Sequence, residues 1–104
     1  MAEIKVTQTG RVVPGTGTVV DANGTAIAVF NIGGTFYAIA NACTHMGGPL
    51  GEGTLDGTTV TCPWHGSQFD VTSGQVRKGP ARRPVATYPV NVKGADIFVE
   101  VKDA

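Results

Sequence analysis

The 104-residue chain has little of most things that bind or catalyse: two cysteines, two histidines, one tryptophan, 7% aromatic and 15% charged residues. Eight Lys and Arg balance eight Asp and Glu, so the formal net charge is zero. With no basic stripe interleaved with aromatics, this neutrality excludes binding driven by nucleic-acid phosphates. No apolar run approaches the roughly 20 residues that span a bilayer, so no membrane span is expected. No glycine fingerprint follows a strand and opens a helix, which excludes a flavin or nicotinamide site. The opening Met-Ala-Glu-Ile-Lys-Val carries no basic region, apolar core or twin arginine, and a cytoplasmic location is expected.

What is abundant is turn chemistry. Fifteen glycines and six prolines punctuate a chain in which no segment keeps a 3.6-residue apolar period for three turns. The expected class is all-β, in a single domain over residues 1–104. Asn23-Gly24 joins Val19-Val20-Asp21 to Ala26–Phe30, and Gly33-Gly34 leads into Phe36–Ile39, both strong hairpin signals. Further strands are expected at Ile4–Thr7, Thr58–Thr61, Gln68–Val71, Tyr88–Val92 and Ile97–Val101, with turns at Ser73-Gly74 and Lys93-Gly94. Pro89 marks its strand as an edge, and Asp70 is expected to cap a turn.

The chemistry is concentrated between Ala42 and Asp70. Cys43-Thr44-His45-Met46-Gly47-Gly48-Pro49 and Cys62-Pro63-Trp64-His65-Gly66-Ser67 contain every cysteine and histidine of the chain. Each arm supplies Cys before His and is rich in glycine, which is a metal-ligand arrangement. Two thiolates and two imidazoles suit zinc or an iron–sulfur cluster, and the donor count does not choose between them. Both histidines being committed, no Ser-His-acid set remains for nucleophilic catalysis.

The two segments strongly resemble the cluster-binding boxes of Rieske iron–sulfur proteins, whose Cys-x-His and Cys-x-x-His loops hold one [2Fe–2S] cluster. The resemblance implies that Cys43 and Cys62 bind the inner iron and His45 and His65 the outer. It also implies an antiparallel β-sandwich of three small sheets, with a loop-rich cluster-binding subdomain over about residues 42–82. Gly79-Pro80-Ala81 resembles the third, proline-containing loop that covers the cluster in this family. Met46 and Trp64 are expected as cluster cover, and Gly47, Gly48 and Gly66 as backbone that approaches the sulfurs closely.

By the same resemblance, Gly48 and Trp64 stand where high-potential members carry a disulfide, and Phe69 where they carry a tyrosine hydroxyl. Ser67 retains the hydroxyl that donates to the cluster, or else satisfies the loop backbone. The expected potential therefore falls in the low to middle part of the family range of roughly −150 to +300 mV.

The whole chain resembles a small Rieske-type ferredoxin, the electron carrier of bacterial aromatic-ring hydroxylating dioxygenases. The resemblance implies a monomer that takes electrons from a flavin-containing NAD(P)H-dependent reductase and gives them to a terminal oxygenase. It implies a carrier and not an enzyme. Alternative readings are the Rieske-type small subunit of an NAD(P)H nitrite reductase and a structural zinc module. No Lys or Arg lies between Val12 and Val76, whereas Arg77, Lys78, Arg82 and Arg83 follow closely, either as a docking patch for an acidic redox partner or as a solvated basic loop.

Overall fold

The computed structural model describes residues 2–101. Its strands in chain order are β1 (Ala2–Gln8), β2 (Gly17–Ala22), β3 (Thr25–Ile32), β4 (Thr35–Ala40), β5 (Thr54–Asp56), β6 (Thr59–Thr61), β7 (Gln68–Asp70), β8 (Val76–Lys78), β9 (Thr87–Tyr88), β10 (Val90–Lys93) and β11 (Asp96–Val101). Single 3-10 turns cover Thr9–Arg11 and Leu50–Glu52. The strands form three antiparallel sheets with orders β1-β11-β10, β2-β3-β4-β9 and β5-β6-β7-β8. No helix of the described residues is long and apolar enough to cross a membrane.

The sheet containing β3 is the middle layer. Ala28, Phe30 and Ile39 project into one core with Val60, Phe69 and Val71 of the third-sheet region, while Ile27, Val29 and Ala38 project into another with Ile97, Val99 and Val101 of β11. Covered on both faces, residues 27–31 of β3 are buried without interruption. This is why its sequence reads as a nearly continuous apolar run and not as an alternation. By contrast β11 alternates strictly between buried and half-buried residues, as a sheet with one covered face requires.

The hairpin signals correspond to real turns: Asn23 and Gly24 adopt φ of 55° and 90°, as the tight β2–β3 connection demands. Two strands, β5 and β8, lie outside the sequence expectation. The expected strand Tyr88–Val92 is divided. Pro89 has no N–H to give a ladder, and the chain changes sheets there, β9 pairing with β4 and β10 with β11. Both pieces are edge strands, and the Pro89 carbonyl accepts the N–H of Glu100 at 3.0 Å.

Candidate metal centre

Two loops at one end of the third sheet carry the Cys and His residues. The first leaves β4 and is closed at its base by an antiparallel bridge between Ala42 and Pro49. Within it the Cys43 N–H donates to the Gly48 carbonyl at 2.9 Å, and the Gly47 N–H donates to the Cys43 carbonyl at 2.8 Å. The second joins β6 to β7 and repeats the pattern: Cys62 N–H to Ser67 carbonyl at 2.7 Å, Gly66 N–H to Cys62 carbonyl at 3.2 Å. In each loop the glycine four residues after the cysteine takes a left-handed φ, +78° at Gly47 and +80° at Gly66. The loops are therefore the same closed unit, and the unequal Cys-to-His spacing moves only the histidine within it.

Gly48 matters for a different reason. A Cβ there would lie 2.6 Å from Cys62 Sγ and 3.1 Å from Trp64 Cγ, so the bare backbone of the first loop forms a wall of the cradle around the second cysteine. The two cysteines do not form a disulfide; they are 4% and 3% exposed, and both belong to the core shared with Phe69 and Leu50. The histidines are exposed, with ring centroids 5.1 Å apart and planes at 86°. Sulfur donors lie inside and nitrogen donors outside.

This depth separation tests the metal. A tetrahedral zinc site needs four donors around one ion at about 2.0–2.3 Å. Here two donors are buried thiols and two are surface imidazoles. A soft inner pair and an imidazole outer pair suit instead a binuclear cluster with two kinds of iron.

The stretch after β8 straps both loops. Ala81, 4% exposed, donates its N–H to Ser67 Oγ at 3.0 Å, and the Thr44 hydroxyl donates to the Arg83 carbonyl at 2.7 Å. The Val85 N–H then ties the strap to the Gly74 carbonyl at 2.9 Å. Pro80 follows a cis peptide bond and is exposed, so the residues this strap buries are Ala81 and Val85. Sequence reasoning did not single out Thr44 or Ala81, because nothing in a lone threonine announces a partner 39 residues away.

Three further expectations are revised or sharpened. Met46 and Trp64 are 59% and 55% exposed, and a Cβ at Gly48 would meet the Trp64 ring at 3.1 Å, so the indole lies against the first loop. Phe69 is fully buried beside the thiols, between register partners Val60 and Val76. Asp70 does cap its turn, its carboxylate accepting the N–H and hydroxyl of Thr72 at 2.8 and 2.6 Å and pairing with Arg77. Those bonds, the Thr72 hydroxyl first and Arg77 after it, hold the Asp70 carboxyl below its ordinary pKa despite burial. Arg77 is thereby paired with a carboxylate, though its side chain remains 55% exposed.

Residues 2–89 match the family model of the Rieske [2Fe-2S] domain. The chain belongs to the Rieske family. This Rieske protein is 46% identical over 79 residues, 75% of this chain and 74% of the other, to the 3-phenylpropionate/cinnamic acid dioxygenase ferredoxin subunit of Escherichia coli K12. Among solved structures it resembles the ferredoxin of carbazole 1,9a-dioxygenase from Nocardioides aromaticivorans IC177, with TM-score 0.93, 32% identity, and 98% of this chain and 100% of that one covered. It also resembles a chain in a complex of reduced oxygenase and oxidized ferredoxin in carbazole 1,9a-dioxygenase, with TM-score 0.87, 37% identity, and 93% and 91% covered. The protein carries a Rieske-type [2Fe–2S] cluster and acts as an electron carrier of the ferredoxin type, and the three-sheet antiparallel sandwich is that family's fold.

Proposed function

We propose that Cys43 and Cys62 hold the inner iron of the cluster and His45 and His65 the outer. When bound, the cluster takes up and releases one electron at a time. The observation that carries this reading is the separation in depth, thiols 4% and 3% exposed against imidazoles at the surface. A partner approaching the buried thiols meets the core, whereas one approaching the imidazoles meets the ligands themselves. Each ligating imidazole keeps an N–H on its second ring nitrogen, a donor toward a docked partner. Ser67 Oγ accepts the Ala81 N–H, which leaves its hydroxyl proton to donate, in this reading to the cluster.

In this reading a flavin-containing NAD(P)H-dependent reductase supplies the electron and the terminal oxygenase of an aromatic-ring hydroxylating system receives it. Likeness to a dioxygenase ferredoxin subunit and to a ferredoxin in complex with its oxygenase supports the assignment over a nitrite reductase small subunit. The carrier works as a cytoplasmic monomer. Residues 1–104 act as one domain, with the cluster subdomain over about 42–82.

The test is electron paramagnetic resonance before and after dithionite, with iron, zinc and sulfide measured on the same sample. A rhombic signal on reduction, with average g below that of all-cysteine clusters, supports the ligand set. A silent protein with stoichiometric zinc overturns it.

A further inference from the structure

Resting on the carrier reading above, we propose that the docking face has an apolar centre of Met46 and Trp64 and a cationic rim of Lys78, Arg82 and Arg83. Its occupant is a terminal oxygenase presenting carboxylates around an apolar recess. Met46 and Trp64 are 59% and 55% exposed, and each is the chain neighbour of one of the two histidines. A large aromatic and a flexible thioether held in water beside the electron exit are side chains that interface cores favour.

The rim is placed by the strap. The Thr44 hydroxyl holds the Arg83 carbonyl and Ser67 holds the Ala81 N–H, so the backbone of residues 81–83 is tied beside both ligand loops. Among the described residues Lys5, Arg77 and Lys93 are each paired with a carboxylate, whereas Lys78, Arg82 and Arg83 meet none. The acid next to β8, Asp70 on β7, is taken up by Thr72 and Arg77. Asp56 is on β5 and Lys78 on β8, the opposite edges of one sheet, about 14 Å apart at three strand spacings. The chain's formal net charge is zero and the reduced cluster adds one negative charge, so whole-molecule attraction cannot draw in an anion, and an anion's salt-sensitive association reports this local field.

The test uses holoprotein reduced with dithionite and mixed by stopped flow with two small oxidants, ferricyanide as anion and tris(phenanthroline)cobalt(III) as cation. Added salt is expected to slow the reaction with ferricyanide and speed that with the cobalt complex, and the double variant Arg82→Glu/Arg83→Glu to invert both trends. With a terminal oxygenase as acceptor, the double variant is expected to lose about tenfold or more in rate at low salt, the loss vanishing as salt rises. Trp64→Ala is expected to lose rate at all salt concentrations. Cluster content and the reduced spectrum stay unchanged in the charge variant. Wild-type trends of the opposite sign, or a double variant indistinguishable from wild type with the oxygenase, overturn the docking face while leaving the carrier reading intact. A reduced holoprotein that gives electrons to both small oxidants but to no terminal oxygenase overturns the carrier reading instead.

Discussion

Gly48 and Gly47 are adjacent, yet alanine at each should fail differently. At Gly48 the new methyl would sit 2.6 Å from Cys62 Sγ. Ordinary contact between such atoms is about 3.5–4.0 Å, so the pair must separate by about 1 Å. Metal-ligand distances tolerate about 0.2 Å, and the required movement is about five times that. If the first loop moves, it strains the Cys43 N–H to Gly48 carbonyl bond of 2.9 Å. Overpacking at about 1–3 kcal/mol plus a bond of about 1 kcal/mol puts the penalty at about 2–4 kcal/mol. If the sulfur moves, a ligand leaves its place.

At Gly47 nothing lies within 4 Å of the added methyl, but φ is +78°. Alanine there meets only backbone strain, about 1–2 kcal/mol. Gly48→Ala is therefore expected to fold with much less than two irons and two sulfides per chain, and Gly47→Ala to keep its cluster and melt several degrees lower. Iron and acid-labile sulfide analysis beside circular dichroism melts separates the two. A Gly48→Ala protein with full iron and unchanged potential, or a Gly47→Ala protein equally depleted, would refute the reasoning.

Other sites yield distinct outcomes. Phe69→Tyr should raise the potential if its hydroxyl reaches a cluster sulfur, by about 40 mV for each kcal/mol favouring the reduced state; an unmoved voltammogram removes residue 69 from the tuning. His65→Cys, by making the site more negative, should lower the potential, and a rise would refute the charge argument. The Asp70 carboxyl is held below its ordinary value of 3.8, so its contribution is present above that pH and lost as pH falls through the folded value. Asp70→Asn should thus cost about 1–2 kcal/mol at pH 7, the partly exposed Arg77 being discounted, and flatten the loss of stability below about pH 4 in acid melts. Thr44→Val should speed amide hydrogen exchange at residues 81–85 while Thr44→Ser retains protection; equal exchange in both would show that the strap holds without this hydroxyl.

The parts legible in the sequence are those with local causes. Asn23-Gly24 needs left-handed backbone at successive positions and so announces a hairpin wherever it occurs between apolar runs. The Cys and His pairs announce a metal by residue type alone. The three-residue strands β5 and β8 are too short to show a period, and Thr54–Asp56 is half polar. Tyr88 to Val92 alternates as one strand would, and only the pairing of its two halves with different partners reveals the change of sheet. The exposure of Met46 and Trp64 was equally hidden, since residue type beside a ligand does not say how much of a side chain faces water. Arg77 looked like its neighbours until Asp70, seven residues earlier, proved to hold it.

The equality of the two loops bears on how the site divides its labour. Both cysteines are clamped by the same pair of backbone bonds, so closure of the loops and the core around the thiols fix them together. The histidines lie two and three residues beyond their cysteines, on the parts of the loops that face solvent. Rigidity at the sulfur side follows from burial in the core between the sheets, and access at the nitrogen side from the same loops running out of that core. A carrier needs both properties at once, little reorganisation around the metal and a short path to a partner. Here one backbone unit, used twice, supplies them in opposite directions along a single axis, and the strap over residues 79–85 joins the two copies at Thr44 and Ser67. Substitutions in the strap should therefore alter how firmly the loops are held together before they alter the fold, because the strap's bonds run to the loops and to the turn at Gly74 and not into the central β3 ladder.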